Sequence, residues 1–138
     1  MITIKKQEIV KLEDVLHLYQ AVGWTNYTNQ PQMLEQALFH SLVIYLALDG
    51  DAVVGLIRLV GDGFSSVFVQ DLIVLPSYQR QEIGSLLMKE ALKDYKDVYQ
   101  VQLVTEQTER TLGFYRSMGF EILSTYNCIG MTWANREK

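Results

Sequence analysis

Residues 72–87 combine residue types that can hold a phosphate group. An apolar run ends at Leu75, a polar loop bounded by Pro76 follows, and Gly84 lies where a helical pattern begins. The start of a helix presents unpaired backbone N–H groups and the positive end of the helix dipole, and a residue without Cβ lets a phosphate approach the backbone. Arg80 adds a permanent positive charge. The pattern predicts an anion-binding strand, loop and helix; the alternative is an ordinary crossover with Gly84 at a packing contact.

Residues 108–120 form a second stretch whose side chains could take part in chemistry. The phenol of Tyr115 keeps its proton at pH 7 because the ordinary pKa of tyrosine is about 10, so it can donate that proton to a leaving group. Thr108 is a residue type that caps the start of a helix, and Gly119 is one that ends a helix. Roughly 30 residues separate Gly84 from Tyr115, enough for the helix and strand that return the chain beside the first strand.

Together the two stretches resemble the GCN5-related N-acetyltransferases. Residues 79–84 are similar to the family signature Q/R-x-x-G-x-G/A, with Glu82 in the place of the first glycine. Residues 108–120 are similar to the family pattern N-x-x-A-x-x-F-Y-x-x-x-G-F, with Thr108 in the place of the asparagine. Two motifs in the family's order are more specific than either motif alone.

The resemblance implies that acetyl-CoA is the cosubstrate. In the family fold the strand that contains Leu72, Ile73 and Val74 splays from the next strand, and the pantetheine arm enters the gap. Main-chain groups of these residues would hold the arm, and one N–H would polarise the thioester carbonyl. The residues expected around the pyrophosphate are Gln79, Arg80, Gln81, Glu82, Ile83, Gly84 and Ser85.

The resemblance also gives Tyr115 the role of a general acid that protonates the leaving thiolate. Thr108 and Phe114 are then expected to contact the cofactor. The structural alternative is a helix tyrosine that packs with Phe114 in the core. The hydroxyl of Thr108 can also cap the helix without any functional role.

The amine side of the reaction needs a group that accepts the ammonium proton. Asp71 and Gln70 directly precede the expected cofactor strand residues. Strand alternation predicts that their side chains point to opposite faces, so that at most one faces the substrate cleft. Asp71 is the candidate general base, with a structural carboxylate as the alternative, and Gln70 is a candidate substrate contact. Trp24 and Tyr27 would line the acceptor pocket by the same resemblance, or plug the core.

The elements that position these residues follow the order strand, two helices, three strands, helix, strand, helix and two strands. Strands are predicted over 2–6, 42–48, 52–60, 66–75 and 99–104, with two strand-like runs within 120–133, and helices over 10–21, 31–38, 83–95 and 108–118. Residues 66–75 are apolar on both faces, which is typical of a strand covered by helices on both sides. The order of these elements predicts one α+β domain over 1–138. The resemblance implies the three-layer acyl-CoA N-acyltransferase fold, with a mixed, mostly antiparallel sheet of about seven strands and about four helices.

Composition limits the classes of function. The 138 residues, 49% of them hydrophobic, suffice for one core. The net charge of −4 gives no basic surface for nucleic acid or an anionic membrane, and no run is long enough to span a membrane. Cys128 is the single cysteine, so no internal disulfide forms and a soluble cytoplasmic protein is expected. His17 and His40 have no partner spacing that indicates a metal site.

The leading hypothesis is an acetyl-CoA-dependent N-acetyltransferase that acts on the primary amine of a small molecule by direct attack in a ternary complex. A protein N-terminal or lysine acetyltransferase is the enzymatic alternative, and it would need an open groove. A non-catalytic acyl-CoA-binding or interaction module with the same fold is the alternative of a different class, and Glu82 is the feature that favours it. Residues 1–60 carry almost no signal for the acceptor. The resemblance allows a homodimer, and the sequence leaves the oligomeric state open.

Overall fold

The computed structural model describes residues 1–134, which divide after Leu103 into two compact units. The first unit is built on a five-stranded sheet in which the strands follow one another in chain order. The strands are β1 Ile2–Gln7, β2 Val43–Asp49, β3 Ala52–Gly61, β4 Ser66–Val74 and β5 Gln100–Leu103. The first four pair antiparallel, and β5 pairs parallel with β4. The predicted mixed, mostly antiparallel sheet is therefore confirmed.

Helices cover both faces of this sheet. They are α1 Leu12–Ala21, the short α2 Thr25–Thr28, α3 Pro31–Phe39 and α4 Ile83–Asp94. Side chains of α1 and α3 form one buried cluster with strand residues that include Ile44 and Leu46 of β2. Tyr45, which alternates with those two residues, donates its hydroxyl to Asp94 of α4. Since neighbouring strand residues point to opposite faces, α4 covers the other face, and the predicted three-layer arrangement is confirmed.

A β-bulge interrupts β4 at Gln70. Arg58 of β3 pairs with Asp71, but the next residue of β3 pairs with Val69, so Gln70 has no partner in the ladder. The extra residue switches the face to which the following side chains point. Val67 and Val69 therefore lie beside α4, whereas Asp71 contacts Tyr19 of α1. The bulge therefore directs the Asp71 carboxylate to the α1 side of the sheet. Without the bulge, regular alternation along β4 would direct it to the α4 side.

The second unit has little regular structure. It contains α5 Glu109–Ser117 and a 3-10 turn over Leu123–Tyr126. Residues 120–134 contain no strand, so the two predicted terminal strands are wrong and the described sheet has five strands rather than seven. The alternating apolar side chains there resemble a strand, but a strand forms only where a second strand satisfies its backbone groups, and no described residue pairs with this segment.

No helix within residues 1–134 is long and apolar enough to cross a membrane.

Candidate functional site

The free edge of β4 is the first component of the candidate site. Pairing with β5 stops at Val69 and Leu103, whereas pairing with β3 continues to Val74. Among residues 1–134, no strand therefore pairs with the β5-facing edge of β4 over 70–74. Apart from the Val74 carbonyl, which accepts from the Gln79 side chain, the backbone groups of this segment that face away from β3 are available to a ligand that can hydrogen-bond like a strand. The edge includes Leu72, Ile73 and Val74, the residues predicted to bind by their main chain.

The loop between β4 and α4 is folded tightly back on the strand. A 3-10 turn over Pro76–Tyr78 begins it, and the Gln79 side-chain amide donates to the carbonyl of Val74 over 3.1 Å. Arg80 and Glu82 both adopt left-handed backbone conformations, with φ of 66° and 63°. Such conformations cost on the order of 1–2 kcal/mol per residue outside glycine, so the surrounding contacts impose this shape on the loop. Glu82 thus adopts a left-handed backbone conformation, which a glycine at this place in the family signature would adopt at lower cost.

The start of α4 is free to bind an anion. No side chain caps this end of the helix, and the first helical bond is donated by Leu86 to the carbonyl of Glu82. The N–H groups of Ile83, Gly84 and Ser85 therefore have no partner within the helix. The Ile83 side chain is 1% exposed and anchors the helix in the core, while Gly84 and Ser85 are partly exposed. Unpaired N–H groups together with the helix dipole favour a phosphate here.

A buried polar cluster lies on the α1 side of the bulge. The Arg58 Nε atom donates to Asp71 Oδ2 over 2.7 Å, and the side chains are 5% and 2% exposed. Tyr19 donates its hydroxyl to the same Oδ2 atom over 2.8 Å, and Tyr27 donates to Oδ1 over 3.0 Å. No buried side-chain nitrogen or oxygen of the described residues lacks a partner. The carboxylate is therefore held by donors from α1, α2 and β3.

Arg58 also ties α2 and the segment that follows α3 to the sheet. Its Nη2 atom donates to the Tyr27 hydroxyl over 3.2 Å, and its Nη1 atom donates to the Ser41 hydroxyl over 3.2 Å. Burial by itself lowers the pKa of Arg58, but the charge and hydrogen bond of Asp71 raise it overall. The guanidinium therefore stays charged and fixes the position of the segment that carries Tyr27.

The two tyrosines of the cluster remain protonated. Burial raises the pKa of Tyr19 strongly, and the adjacent Asp71 charge raises it further. Burial also raises the pKa of Tyr27, again with a contribution from Asp71. Because both phenols stay neutral over the working pH range, each can act as a permanent donor to the carboxylate.

The predicted acceptor-side residues meet at the Tyr27 hydroxyl. The Gln70 amide donates to this oxygen over 3.4 Å from an exposed position. Trp24 stacks in a tilted arrangement against Tyr27 with ring centroids 6.2 Å apart, and both rings pack on the core of α1 and α3. Gln70 and Asp71 thus contact the same side chain, and the prediction that they point to opposite faces is wrong because the bulge interrupts the alternation.

In the second unit, the structure explains the glycine and the phenylalanine that lie four and five residues after Tyr115. Gly119 has φ of 96°, its N–H donates to the carbonyl of Arg116, and the Phe120 N–H donates to the carbonyl of Tyr115. These two bonds form a Schellman motif, which needs a left-handed residue at the position of Gly119. The rings of Phe120 and Tyr115 also contact edge to face, with centroids 6.0 Å apart. The motif therefore fixes the end of α5 beside Tyr115.

The other predicted residues of this unit lie on the same helix. The Thr108 hydroxyl accepts from the Thr111 N–H over 3.2 Å and caps α5. Phe114 contacts the Tyr115 ring edge to face at 5.0 Å. Burial raises the pKa of Tyr115, and a hydrogen bond with the Thr105 side chain opposes this rise. The phenol thus keeps the proton that a general acid must donate.

Arg58 and Tyr19 are the residues that the sequence interpretation missed. Arg58 is the one charged residue in the otherwise apolar run of β3, which is a signal for a buried ion pair. Tyr19 follows the apolar spacing of α1 and gives no sign of its polar partner. Within residues 1–134, no group of three or more acidic, histidine or cysteine side chains could hold a metal ion.

Comparison with known proteins gives consistent matches. Residues 40–122 match the family model of the acetyltransferase (GNAT) domain. A GNAT-family acetyltransferase from Streptococcus pneumoniae TIGR4 is 83% identical, with a TM-score of 0.92 over 99% of this chain and 100% of that one. The chloroplastic serotonin N-acetyltransferase 2 of Oryza sativa subsp. japonica is 34% identical over 97 residues, which are 66% of this chain and 48% of that protein. The chain thus spans about half the length of this curated relative.

A more distant structure matches in fold. The PaiA N-acetyltransferase of Thermoplasma acidophilum, solved in complex with coenzyme A, is 20% identical and has a TM-score of 0.68. The match covers 87% of this chain and 91% of that one.

Proposed function

Because the chain belongs to the GNAT family of acetyltransferases, we propose that it transfers an acetyl group from acetyl-CoA to the primary amine of a small molecule by direct attack in a ternary complex. The observation that carries the proposal is the arrangement of β4 and α4. A strand edge that no strand of residues 1–134 pairs with over 70–74 leads, through a tight loop, into a helix whose start has no side-chain cap. An acyl-CoA molecule has groups suited to both places, because it combines an amide-containing arm with a pyrophosphate.

The residues present fit acetyl-CoA. The main chain of Leu72, Ile73 and Val74 would hold the pantetheine arm, because these residues lie on the free edge of β4. The loop and the first turn of α4 would hold the pyrophosphate, with contributions from Gln79, Arg80, Gln81, Ile83, Gly84 and Ser85 and from the main chain of Glu82. When bound, acetyl-CoA supplies the acetyl group as a thioester. The Gln79 amide holds the loop against β4, and Arg80 brings positive charge to it.

Tyr115 is proposed as the general acid. Its phenol keeps its proton because burial raises its pKa, and a neutral phenol can protonate a thiolate. Phe114 and the Schellman motif limit the movement of the Tyr115 ring. We assign Thr108 and Phe114 to cofactor contact on the basis of the family motif.

On the amine side, Tyr27, Gln70 and Trp24 are proposed to line the acceptor pocket. The Tyr27 hydroxyl and the Gln70 amide lie at the bulge that immediately precedes the free edge of β4. Asp71 was predicted as the general base, but its two oxygens already accept from Tyr19, Tyr27 and Arg58 and it is 2% exposed. These contacts favour a positioning role, in which Asp71 orients the Tyr27 hydroxyl instead of contacting the amine.

A thiol-release assay tests this function. The full chain is incubated with acetyl-CoA and a panel of polyamines, amino sugars, aminoglycosides, arylalkylamines and lysine-containing peptides with free N-termini. We expect free CoA to form with at least one small amine and the acetylated amine to be found by mass spectrometry. Release with peptides alone would favour the protein-acetylating alternative. Saturable acetyl-CoA binding without release across the panel would favour a non-catalytic module.

A further inference from the structure

A side-chain hydrogen bond ties the loop between β4 and α4 to the hairpin of β2 and β3. The Tyr78 hydroxyl donates to Asp49 Oδ2 over 2.6 Å, and the two residues lie 29 positions apart in the chain. Tyr78 ends the 3-10 turn at the beginning of the loop, and Asp49 is the last residue of β2. The hydrogen bond to the carboxylate raises the pKa of Tyr78, so the phenol stays a donor at neutral pH.

The part of the loop that follows Tyr78 has an unfavourable backbone shape. Arg80 and Glu82 are both left-handed, although neither is glycine. Such residues keep this conformation only when the contacts around them impose it. At its far end the loop is fixed by Ile83, whose side chain is 1% exposed. The loop therefore needs a second point of attachment at its near end.

The near end is attached at the turn that Tyr78 ends. The Leu75 N–H donates to the carbonyl of Val54 over 2.9 Å and holds the beginning of the turn on β3. The Tyr78 N–H donates to the carbonyl of Leu75 over 2.8 Å and closes the turn. The Gln79 amide bonds to β4, the strand from which the loop departs. The Tyr78 hydroxyl thus connects the last residue of the turn to a different part of the sheet.

Asp49 is a firm support for this attachment because strands on both sides hold its backbone. It pairs with Ile2 of β1 and with Ala52 of β3. The Met1 ammonium lies 3.7 Å from Asp49 Oδ1, the oxygen atom that Tyr78 does not use. The oxygen that accepts from Tyr78 therefore belongs to a residue whose position the sheet determines.

We propose that Tyr78 and Asp49 are positioning residues for acetyl-CoA, and that their hydrogen bond keeps residues 79–82 in the shape that accepts the pyrophosphate. The inference rests on the proposed function, because it assigns a task within the same cofactor site. The pair acts through the loop without touching the ligand. A loop that already has its bound shape loses less conformational entropy on binding, so the pair should increase the affinity for CoA.

Calorimetric titration of the full chain with CoA tests the proposal. Tyr78→Phe removes the hydroxyl and should weaken CoA binding by about three- to tenfold, the effect of losing one hydrogen bond. Asp49→Ala should weaken it by a similar factor, whereas Asp49→Asn keeps an acceptor oxygen and should retain most of the affinity. The matched control is Asp51→Ala, which removes an exposed carboxylate from the same hairpin and should leave the affinity unchanged.

The double variant Tyr78→Phe with Asp49→Ala shows whether the two residues act through one bond. If they do, the double variant should bind CoA no more weakly than either single variant. For all variants, kcat at saturating acetyl-CoA should stay within about twofold of the wild type, because neither side chain touches the reacting atoms. Denaturant unfolding of each variant checks that it is folded under the conditions of the titration.

The outcomes separate this inference from the proposed function. A wild type that does not bind CoA would refute the proposed function and this inference with it. A wild type that binds CoA, together with unchanged affinity in Tyr78→Phe, would overturn the positioning role alone. Losses that add in the double variant, or an equal loss in Asp51→Ala, would also overturn it, because the effect would then not come from the bond between Tyr78 and Asp49.

Discussion

Arg58 and Asp71 form a buried ion pair in which Arg58 Nε lies 2.7 Å from Asp71 Oδ2. The pair joins β3 to β4 at the residue that follows the Gln70 bulge. Through Tyr19 and Tyr27 it also joins α1 and α2 to the sheet. The position of the proposed acceptor-pocket residues therefore depends on one charged pair inside the core.

Removing one member of this pair should lower the stability of the folded protein. Arg58→Met leaves the Asp71 charge buried without its partner, and we expect the free energy of unfolding to fall by about 3–5 kcal/mol. Denaturant unfolding followed by circular dichroism measures this. Arg116→Met is the matched control, because Arg116 forms an exposed pair with Glu121 at 3.2 Å, and the loss of an exposed pair should change the stability much less. Equal losses in the two variants would contradict the structural role of the pair.

The buried tyrosines predict a loss of stability at alkaline pH. Burial and the Asp71 charge raise the pKa of Tyr19 above its value in the unfolded chain, so the native state holds this proton more tightly. This contribution is complete below about pH 10 and is lost as the pH rises further. Tyr19→Phe should lower stability at pH 7 by about 1–3 kcal/mol and make the alkaline decline shallower. Thermal melts across the pH range measure both effects. The control is Tyr99→Phe, at a residue that is 83% exposed, and its stability should follow that of the wild type across the pH range. If the stability of Tyr19→Phe declines as steeply as that of the wild type at alkaline pH, Tyr19 is not the cause of the decline.

Gly55 permits the close contact between β3, β4 and α4. A Cβ placed there would lie 3.0 Å from the carbonyl oxygen of Ile73 and 3.3 Å from Leu87 Cδ1. We expect Gly55→Ala to cost about 1–3 kcal/mol through overpacking. Gly113→Ala is the control, because a Cβ at Gly113 meets no atom within 4 Å and alanine favours the helix by about 0.5–1 kcal/mol. Chemical unfolding of both variants measures the difference, and a Gly55→Ala protein as stable as the wild type would disprove the close contact.

Glu82 is expected to weaken the binding of CoA without preventing it. Its exposed carboxylate lies at the start of α4, where the pyrophosphate is proposed to bind. Glu82→Gln should tighten CoA binding by about two- to fivefold at low salt, and the gain should shrink at high salt because mobile ions screen exposed charges. Calorimetric titrations at two salt concentrations measure this. The control is Glu90→Gln, further along the same helix, which should leave the affinity for CoA unchanged. Weaker binding of CoA by Glu82→Gln would mean that the Glu82 carboxylate helps to hold the ligand.

Tyr115→Phe should lower kcat by about 100-fold or more while the dissociation constant of acetyl-CoA changes little, because a general acid acts mainly in the transition state. Burial raises the pKa of this phenol, so any alkaline fall in kcat caused by Tyr115 should lie above pH 10. Steady-state kinetics together with binding titration separate the two effects, with Tyr99→Phe as the control. If the chemical step limits the rate and kcat is unchanged in Tyr115→Phe, then Tyr115 is not the general acid.

The sequence predicted those features that short-range patterns determine. The two motifs led to the family, which the comparisons confirm, and the apolar spacing of residues 83–95 predicted α4, observed as Ile83–Asp94. Pro31 marked the start of α3 correctly, because its missing N–H is not needed in the first helical turn.

Features that depend on pairing between distant segments were missed. The bulge at Gln70 depends on the register between β3 and β4, and the partner of Arg58 lies thirteen residues away on the next strand. The terminal strands were predicted from alternation alone, although a strand also needs a paired neighbour. The contacts of Tyr19 and Tyr27 with Asp71 link residues 52 and 44 positions apart, which no local pattern can indicate.

The free edge of β4 and the start of α4 are proposed to hold acetyl-CoA. Amide hydrogen exchange of the full chain with and without saturating acetyl-CoA tests it most directly, because it both detects binding and locates it. We expect slower exchange over 72–74 and 83–85, with no comparable change at the exposed start of α1. No protection at millimolar acetyl-CoA, or protection confined to other segments, would mean that acetyl-CoA does not bind at β4 and α4.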